Sequence, residues 1–402
     1  MSLTRRHLLV AAGAGAAASL ASARKTAAAA PVGPPLPPPL PADAFRERQA
    51  QLRAQARARG IDVLLVTPST NLAYVANLAI GRSERLTALL LFAEGPAVLI
   101  TPAFEEANHR RALVVDDVKT WAEEQNPIAL VARTLEGRKT IGIEGSTAYG
   151  TAMALAAETS ARLEDATSLF DGLRMIKSAE EQAFIREAGR RTVLAIEATH
   201  KRIRTGMSES AVARILEEEF AGLGVRGDGL VQFGPSSALP HGAPAERRLT
   251  KGDAVLIDCG CRVRGYHSDV TRTVAFGSPS DEFRKVYAAV DRAQLAGINT
   301  LKAGATGEEV DRAARKVIED AGYGLFFTHR VGHGLGMDGH EPPYLVRGNS
   351  KPLSAGNVET VEPGIYLPGK FGVRIEDDYA VRAGAGPGSL STRPGDLVEL
   401  KP

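Results

Sequence analysis

The chain has 402 residues, and its 49 basic residues nearly balance its 47 acidic ones, which leaves a formal net charge of +2. A chain of this length exceeds one ordinary hydrophobic core and predicts two domains. Because the net charge is small, it provides no strong field for nucleic acid or an acidic membrane, and neither is expected as a partner.

The first residues, 1–30, are typical of an export signal rather than of a folded domain. Arg5 and Arg6 form a twin-arginine pair ahead of an Ala/Gly/Leu run that is too short to span a bilayer stably, and Ala21-Ser-Ala23 provides a cleavage site. We therefore expect export to the periplasm or beyond by the twin-arginine route, with no stable membrane span in the mature protein. Residues 31–43 are rich in proline and predict a stiff spacer outside the packed domain.

Residues 44–170 predict a small α/β domain, in which strand-type apolar runs alternate with helical segments. The predicted elements are, in chain order, a helix that begins near Phe45, strands at Ile61–Val66, Ala88–Phe92 and Ala97–Ile100, and a strand at Thr140–Ile143 between two helices. A Glu-Gly-Pro turn joins the second and third strands into a hairpin. Nothing in this domain indicates catalysis.

The remaining residues, 171–402, contain one sequence pattern twice. Leu249–Gly260 (LTKGDAVLIDCG) and Leu353–Gly364 (LSAGNVETVEPG) share a twelve-residue pattern with an acid at its tenth position. The acid is Asp258 in the first copy and Glu362 in the second. Since the helix-start signals upstream recur in the same order, we expect two similar α/β halves that pack face to face.

A second acid follows each copy after a short loop, Asp269 in the first half and Glu376 in the second. Turn residues lie near the middle of each interval, Arg264-Gly265 in the first and Pro368-Gly-Lys370 in the second, and they predict two hairpins. A hairpin centred in this way brings its two acids close to opposite one another on adjacent strands, with both side chains on one face. The pattern therefore predicts a site that is built twice.

Four carboxylates that converge in a buried place need compensating positive charge, which divalent cations supply. His333 lies between the two acid hairpins in a glycine-rich run, and carboxylates with one imidazole favour Mn²⁺, Co²⁺, Fe²⁺ or Zn²⁺. Five ligands are more than one catalytic ion needs. Two ions that share bridging carboxylates would use all five, namely Asp258, Asp269, His333, Glu362 and Glu376.

At these residues the sequence resembles the pita-bread metallopeptidases, the group that holds methionine aminopeptidase, aminopeptidase P and prolidase, together with the metal-free creatinase. The resemblance covers nearly everything after Phe45 and is carried by Ile257–Gly260, Gly265–Thr273, Gly332–Gly336, Thr360–Tyr366 and Gly372–Asp378. It implies an α/β (α+β) protein whose catalytic pita-bread domain of two pseudo-symmetric halves, residues 171–402, follows a smaller creatinase-type domain, residues 44–170.

The resemblance also implies roles for the five ligand positions, all of which carry the family's residue. Asp258 would chelate one ion, Asp269 and Glu376 would bridge both, and His333 and Glu362 would complete the other. Glu362 would in addition carry the proton of the attacking water.

Five further residues match the family's pattern near these ligands. His241 and His340, each ahead of one copy of the repeat, would donate hydrogen bonds to the substrate carbonyl or to the oxyanion. Arg374 would orient a ligand carboxylate or contact the substrate, and Tyr366 would support the ligands from behind. His329 either supports the ligands in the same way or simply packs.

A creatinase-type domain together with a complete ligand set favours peptidases of Xaa-Pro bonds, so small peptides with proline at the second position are the expected substrates. A dipeptidase must neutralise the free carboxylate of that proline, and Arg347 is the candidate, although its offset differs from that in prolidases. We expect an Xaa-Pro dipeptidase (prolidase), with aminopeptidase P activity on longer peptides as the alternative. A peptide-binding pseudoenzyme would be expected to lack ligands, and none is lost. The resemblance suggests Mn²⁺ as the metal and a homodimer as the assembly.

Overall fold

A computed structural model describes residues 35–111, 113–240, 242 and 246–402. The predicted export signal and His241 lie outside the described residues. The described part of the proline-rich segment differs from the expected detached spacer, because Leu36 and Leu40 pack against the core of the second domain and the first helix begins at Ala42. Apolar side chains among the prolines hold this segment on the protein surface.

The first domain is a six-stranded sheet with helices around it. Its helices are α1 (Ala42–Ala58), α2 (Thr70–Ala76), α3 (Glu106–His109), α4 (Pro127–Thr134), α5 (Tyr149–Glu158) and α6 (Thr167–Arg174). Its strands are β1 (Val63–Val66), β2 (Ala88–Phe92), β3 (Ala97–Pro102), β4 (Asp117–Trp121), β5 (Thr140–Ile143) and β6 (Arg162–Asp165), in the sheet order β4-β3-β2-β1-β5-β6.

The predicted strands and the β2–β3 hairpin of this domain are confirmed. The sequence did not predict β4 and β6, which form the two edges of the sheet. Both are largely exposed or half-buried, whereas β1, β2 and β3 are buried throughout. An edge strand that buries little surface carries a weak apolar pattern, which explains why these two escaped detection.

The second domain repeats one arrangement of helices and strands. Its helices are α7 (Ala179–Arg202), α8 (Glu209–Gly222), α9 (Asp281–Thr300) and α10 (Gly307–Asp320). Its strands are β7 (Gly227–Phe233), β8 (Ala254–Val263), β9 (Tyr266–His267), β10 (Val270–Phe276), β11 (Gly332–Gly334), β12 (Glu341–Leu345), β13 (Val358–Val361), β14 (Gly364–Leu367), β15 (Phe371–Arg374), β16 (Asp377–Ala380), β17 (Gly388–Ser389) and β18 (Glu399–Leu400).

The expected division of this domain into two similar α/β halves is confirmed. In the first half α7 and α8 pack on a sheet of order β18-β10-β8-β7, and in the second half α9 and α10 accompany a sheet of order β12-β11-β13-β16-β17. Capping boxes at Ser178 and Thr306 begin α7 and α10, the first helix of one half and the second helix of the other. No helix in the described part of the chain is long and apolar enough to cross a membrane.

The register of the two acid hairpins differs slightly from the symmetric expectation. In the first hairpin Arg264 and Gly265 both have positive φ and form the turn, and Asp258 pairs with Thr271. Asp269 is therefore the diagonal neighbour of Asp258 on the same face, not its direct partner. In the second half Val361 pairs with Asp377 and Gly364 with Arg374, so one continuous register places Glu362 opposite Glu376.

Each half has its own apolar core, and the second-half core allows a matched pair of substitutions. Leu301 is fully buried in that core, whereas Leu325 of the same half is 92% exposed. We expect Leu301→Ala to lower the free energy of unfolding by about 2–5 kcal/mol, because it removes buried contacts and leaves a cavity. Leu325→Ala should change it by less than about 0.5 kcal/mol. Urea unfolding of both variants measures the difference, and equal effects would contradict this description of the core.

Candidate metal centre

The acids of both halves meet in one cavity of about 590 Å³ in the second domain. The residues that line it are Asp258, Asp269, His329, Arg330, His333, His340, Val346, Glu362 and Glu376. Among them, Asp258, Asp269 and Glu376 hold carboxylate oxygens within 4.8 Å of one another, and so do the donor atoms of His333, Glu362 and Glu376. Glu376 belongs to both groups, so the two groups adjoin and share a carboxylate.

His333 presents one ring nitrogen to the acids. Its Nε2 lies 3.4 Å from a carboxylate oxygen of Glu362 and 3.8 Å from one of Asp269. Its Nδ1 lies 3.1 Å from the carbonyl oxygen of Gly334, a contact in which the ring N–H donates. A proton on Nδ1 leaves the Nε2 lone pair directed at the acids, which is the tautomer that a metal ligand needs.

Burial and mutual repulsion set the protonation of these groups. Burial, reinforced by the neighbouring carboxylates, raises the pKa of Asp269 and of Glu376 well above the ordinary range. Burial also raises the pKa of Glu362 to about 7, against the opposing charge of Arg374. Burial and the nearby His340 lower the pKa of His333 to about 3, so its imidazole is neutral. Carboxylates that cannot ionise together without a cation, beside a neutral imidazole, fit divalent ions.

Arg374 supports the acids from behind the cavity. Its guanidinium is only 2% exposed, pairs with Asp258 and donates from Nε to the hydroxyl of Thr271 at 3.1 Å. Thr271 in turn donates to a carboxylate oxygen of Glu376 at 2.6 Å. One cation thus orients two carboxylates, Asp258 directly and Glu376 through a hydroxyl, in agreement with the family pattern.

Tyr366 and His329 extend this network. The Tyr366 hydroxyl accepts from Arg374 at 2.7 Å and lies 2.8 Å from Nε2 of His329. Nδ1 of His329 lies 2.7 Å from the carbonyl oxygen of Arg330, to which the ring N–H donates, so Nε2 accepts from the hydroxyl. Of the two interpretations of His329, these hydrogen bonds favour support over simple packing, since Nδ1 also lies 4.0 Å from Glu362.

A second layer behind the acids was not singled out from the sequence. Arg272 donates to the backbone carbonyl of Glu376 at 2.7 Å and to the Asp377 carboxylate at 2.6 Å. Asp378 accepts from the backbone N–H of Asp269 at 3.2 Å. Arg272 and both aspartates lie within the family motifs, but a motif does not reveal which residue touches a ligand's backbone. This layer joins the two halves directly behind two of the acids.

The remaining predicted site residues are placed as follows. His340 lines the cavity with an exposed side chain, its ring centroid 3.9 Å from that of His333. Arg347 is exposed and is not among the residues that line the cavity. The half-buried guanidinium that does line it belongs to Arg330, which stacks on the ring of Tyr344 at 4.6 Å. The sequence carried no separate signal for Arg330 beyond its place in the glycine-rich run.

Comparison with known proteins agrees with this fold. The model of metallopeptidase family M24 matches residues 183–383, and the model of the creatinase/prolidase N-terminal domain matches residues 48–176. An uncharacterized peptidase of Staphylococcus aureus strain USA300 is 35% identical over 323 residues, which cover 80% of this chain and 92% of the relative.

Solved structures are similar over nearly the whole described chain. An Xaa-Pro dipeptidase from Bacillus anthracis has a TM-score of 0.82 and 34% identity, covering 89% of this chain and 100% of that one. An X-Pro aminopeptidase from Thermotoga maritima has a TM-score of 0.77 and 31% identity, covering 86% of this chain and 99% of that one. The chain therefore belongs to metallopeptidase family M24 and is a peptidase with a creatinase/prolidase N-terminal domain.

The raised pKa values predict how divalent ions affect stability. The folded protein holds protons on Asp269, Glu362 and Glu376 more tightly than the unfolded chain does, so these groups stabilise it at low pH. That contribution is lost as the pH rises through about 7, where Glu362 ionises. We expect the Tm of chelator-treated protein to fall between about pH 5 and about pH 8, and added Mn²⁺ to restore it at the higher pH.

Differential scanning calorimetry measures this dependence, and Glu362→Gln is the matched control. The variant lacks one titrating carboxyl, so its Tm should fall less steeply over the same interval. If the Tm at about pH 8 is the same with and without Mn²⁺, the cavity does not hold the ion.

Proposed function

We propose that this metallopeptidase is an Xaa-Pro dipeptidase that acts with two divalent ions. The observation that carries the proposal is the convergence of four carboxylates and the imidazole of His333 in a single cavity. Two ions are proposed because two of the three groups of candidate donors, Asp258-Asp269-Glu376 and His333-Glu362-Glu376, adjoin and share Glu376, while the third group joins Asp269 and His333 to His340. The likeness to the Xaa-Pro dipeptidase from Bacillus anthracis supports the choice of substrate.

For the ions we propose the assignment that the family pattern implies. Asp258 would hold one ion, His333 and Glu362 would hold the other, and Asp269 and Glu376 would contribute to both. The hydrogen bonds of Arg374 and Thr271 to Asp258 and Glu376 support this assignment, because ligating carboxylates are usually fixed by such outer partners. Mn²⁺ is the proposed ion, with Co²⁺, Zn²⁺ and Fe²⁺ as alternatives that carboxylate-rich sites accept.

The chain's own residues supply the remaining chemistry. When bound, the divalent ions would acidify water and polarise the scissile carbonyl. Glu362, whose carboxylate lines the cavity 3.4 Å from Nε2 of His333, would accept a proton from the attacking water and return it to the departing nitrogen of proline. His340, at the rim of the cavity, is proposed to donate a hydrogen bond to the developing oxyanion. The same role is proposed for His241.

Recognition of the substrate's carboxylate decides between a dipeptidase and an aminopeptidase of longer peptides. A dipeptide places its free carboxylate one residue beyond the scissile bond, where a guanidinium would neutralise it. Arg347 is the candidate from the sequence, and Arg330 is the candidate from the cavity lining. The alternative, an aminopeptidase that needs no such contact, is supported by the likeness to the Thermotoga maritima enzyme.

The test compares the hydrolysis of Ala-Pro with that of Ala-Pro-Ala after loading with Mn²⁺, Co²⁺ or Zn²⁺. We expect kcat/KM for Ala-Pro to be higher by about tenfold or more, because a charge-assisted contact contributes about 1.5–3 kcal/mol. Preference for the tripeptide would overturn the dipeptidase assignment in favour of the aminopeptidase. Inactivity on both peptides with every ion would overturn the proposal altogether.

A matched pair of variants, Arg330→Ala and Arg347→Ala, locates the carboxylate contact in the same assay. The variant that loses the contact should raise the KM for Ala-Pro about tenfold or more while changing its KM for Ala-Pro-amide little. If neither variant raises the KM for Ala-Pro more than the KM for Ala-Pro-amide, neither guanidinium recognises the carboxylate.

We also propose a homodimeric assembly, which sedimentation velocity would test.

We further propose export by the twin-arginine route. Arg5→Lys together with Arg6→Lys should retain the protein in the cytoplasm, because the pathway recognises the arginine pair. Fractionation of cells that express the natural and changed sequences measures the outcome. Equal export of both would contradict the assignment.

A further inference from the structure

His340 has an exposed side chain, yet the proposed chemistry requires it to keep a defined position. It follows a glycine-rich segment, residues 334–339, that contains Gly334, Gly336 and Gly339. Glycine adds conformational freedom, although Leu335 within the segment is fully buried and its backbone N–H donates to the carbonyl of Val358. The side chain of His340 is exposed, and its ring centroid lies 3.9 Å from that of His333. The residues on either side of His340 constrain its backbone in addition.

The two acids that flank His340 are both bound by the first domain. Arg174, the last residue of α6, donates to Asp338 and to Glu341, each at 2.5 Å. Lys177, in the connection between the domains, donates to the other oxygen of Glu341 at 2.5 Å. His340 thus lies between two acids, Asp338 and Glu341, that both accept hydrogen bonds from the guanidinium of Arg174.

We call Arg174, Lys177, Asp338 and Glu341 the clamp, and most of these residues are closely packed. Arg174, Lys177 and Glu341 are all buried, and Arg174 also donates to Asn71 at 3.0 Å. An added Cβ at Gly336 would lie 2.5 Å from the Glu341 carboxylate, so only glycine lets the segment pass so close to it. Buried ion pairs depend on both partners, because losing one leaves an uncompensated charge. The clamp therefore holds the segment rigidly only when it is complete.

We propose that Arg174 is a positioning residue that acts through Asp338 and Glu341 to set His340 at the metal centre. The first domain then contributes to catalysis without touching the substrate, by fixing the backbone on both sides of one hydrogen-bond donor. Lys177 completes the anchor at Glu341. This inference rests on the role proposed above for His340.

A double-mutant cycle with Arg174→Met and His340→Ala tests the proposal. We expect His340→Ala to lower kcat/KM for Ala-Pro by about a hundredfold and Arg174→Met by about ten- to a hundredfold, since misplacement of one donor is costly. Because Arg174 acts through His340, adding Arg174→Met to His340→Ala should cause no further loss. Losses that multiply would overturn the proposal.

Hydrogen exchange measured by mass spectrometry supplies a readout that does not depend on turnover. Arg174→Met should speed exchange in the peptide that spans residues 334–341, while the bound metal per chain stays as in the natural protein. Unchanged exchange there would also overturn the proposal. If Arg174→Met does not fold, Asp338→Asn removes one of the two anchors and enters the same cycle, because Asp338 is only half-buried.

Arg48→Met is the matched control. Arg48 of α1 forms another buried contact between the domains, with Glu181 of α7 at 2.9 Å, but it does not touch the segment before His340. This variant should lower Tm without speeding exchange in residues 334–341. Failure of the natural protein to cleave Ala-Pro would count against the proposed function. The hydrogen-exchange measurement would still test the role of Arg174, because it does not depend on turnover.

Discussion

The structure depends above all on the repulsion among carboxylates that two hairpins bring into one buried cavity. Asp269 and Glu376 both have a raised pKa, and Glu362 has a pKa of about 7, because burial and mutual charge oppose ionisation. Such an arrangement is costly unless cations are present. Around it, Arg374 and Arg272 hold the acids and the backbone that carries them. A cavity of this kind fits divalent cations, as expected for a member of a metallopeptidase family.

The repeat explains how the acids converge, and its departures explain why they differ. Each half supplies two acids from a hairpin, but the turn at Arg264-Gly265 pairs Asp258 with Thr271 and displaces Asp269 to the diagonal. Thr271 thereby occupies a place from which its hydroxyl reaches Glu376 of the other half. In the second half the two acids lie directly opposite one another, and Glu362 lies 3.4 Å from Nε2 of His333. One architecture therefore gives unequal environments to equivalent positions.

The first domain is more than an attached module, because its contacts reach the rim of the cavity. Arg174 and Lys177 meet acids on both sides of His340, and Arg48 meets α7 near its start. The contacts to Glu341 and Glu181 are buried ion pairs, in which loss of one partner leaves an uncompensated charge. The relative placement of the domains and the shape of the catalytic rim are consequently coupled. These contacts are the basis for the proposal that His340 takes its position partly from the first domain.

The sequence by itself determined the two-domain plan, the duplicated halves, the acid hairpins and the five candidate ligands, because repeats, turn residues and capping boxes are readable in the sequence. The sequence did not predict the edge strands β4 and β6, because little of their surface is buried. Only the tertiary structure decided that Arg272 grips the backbone of Glu376, that Arg330 rather than Arg347 lines the cavity, and that Arg174 holds the neighbours of His340. Those contacts join residues far apart in the chain, and no local pattern specifies which distant charges will meet.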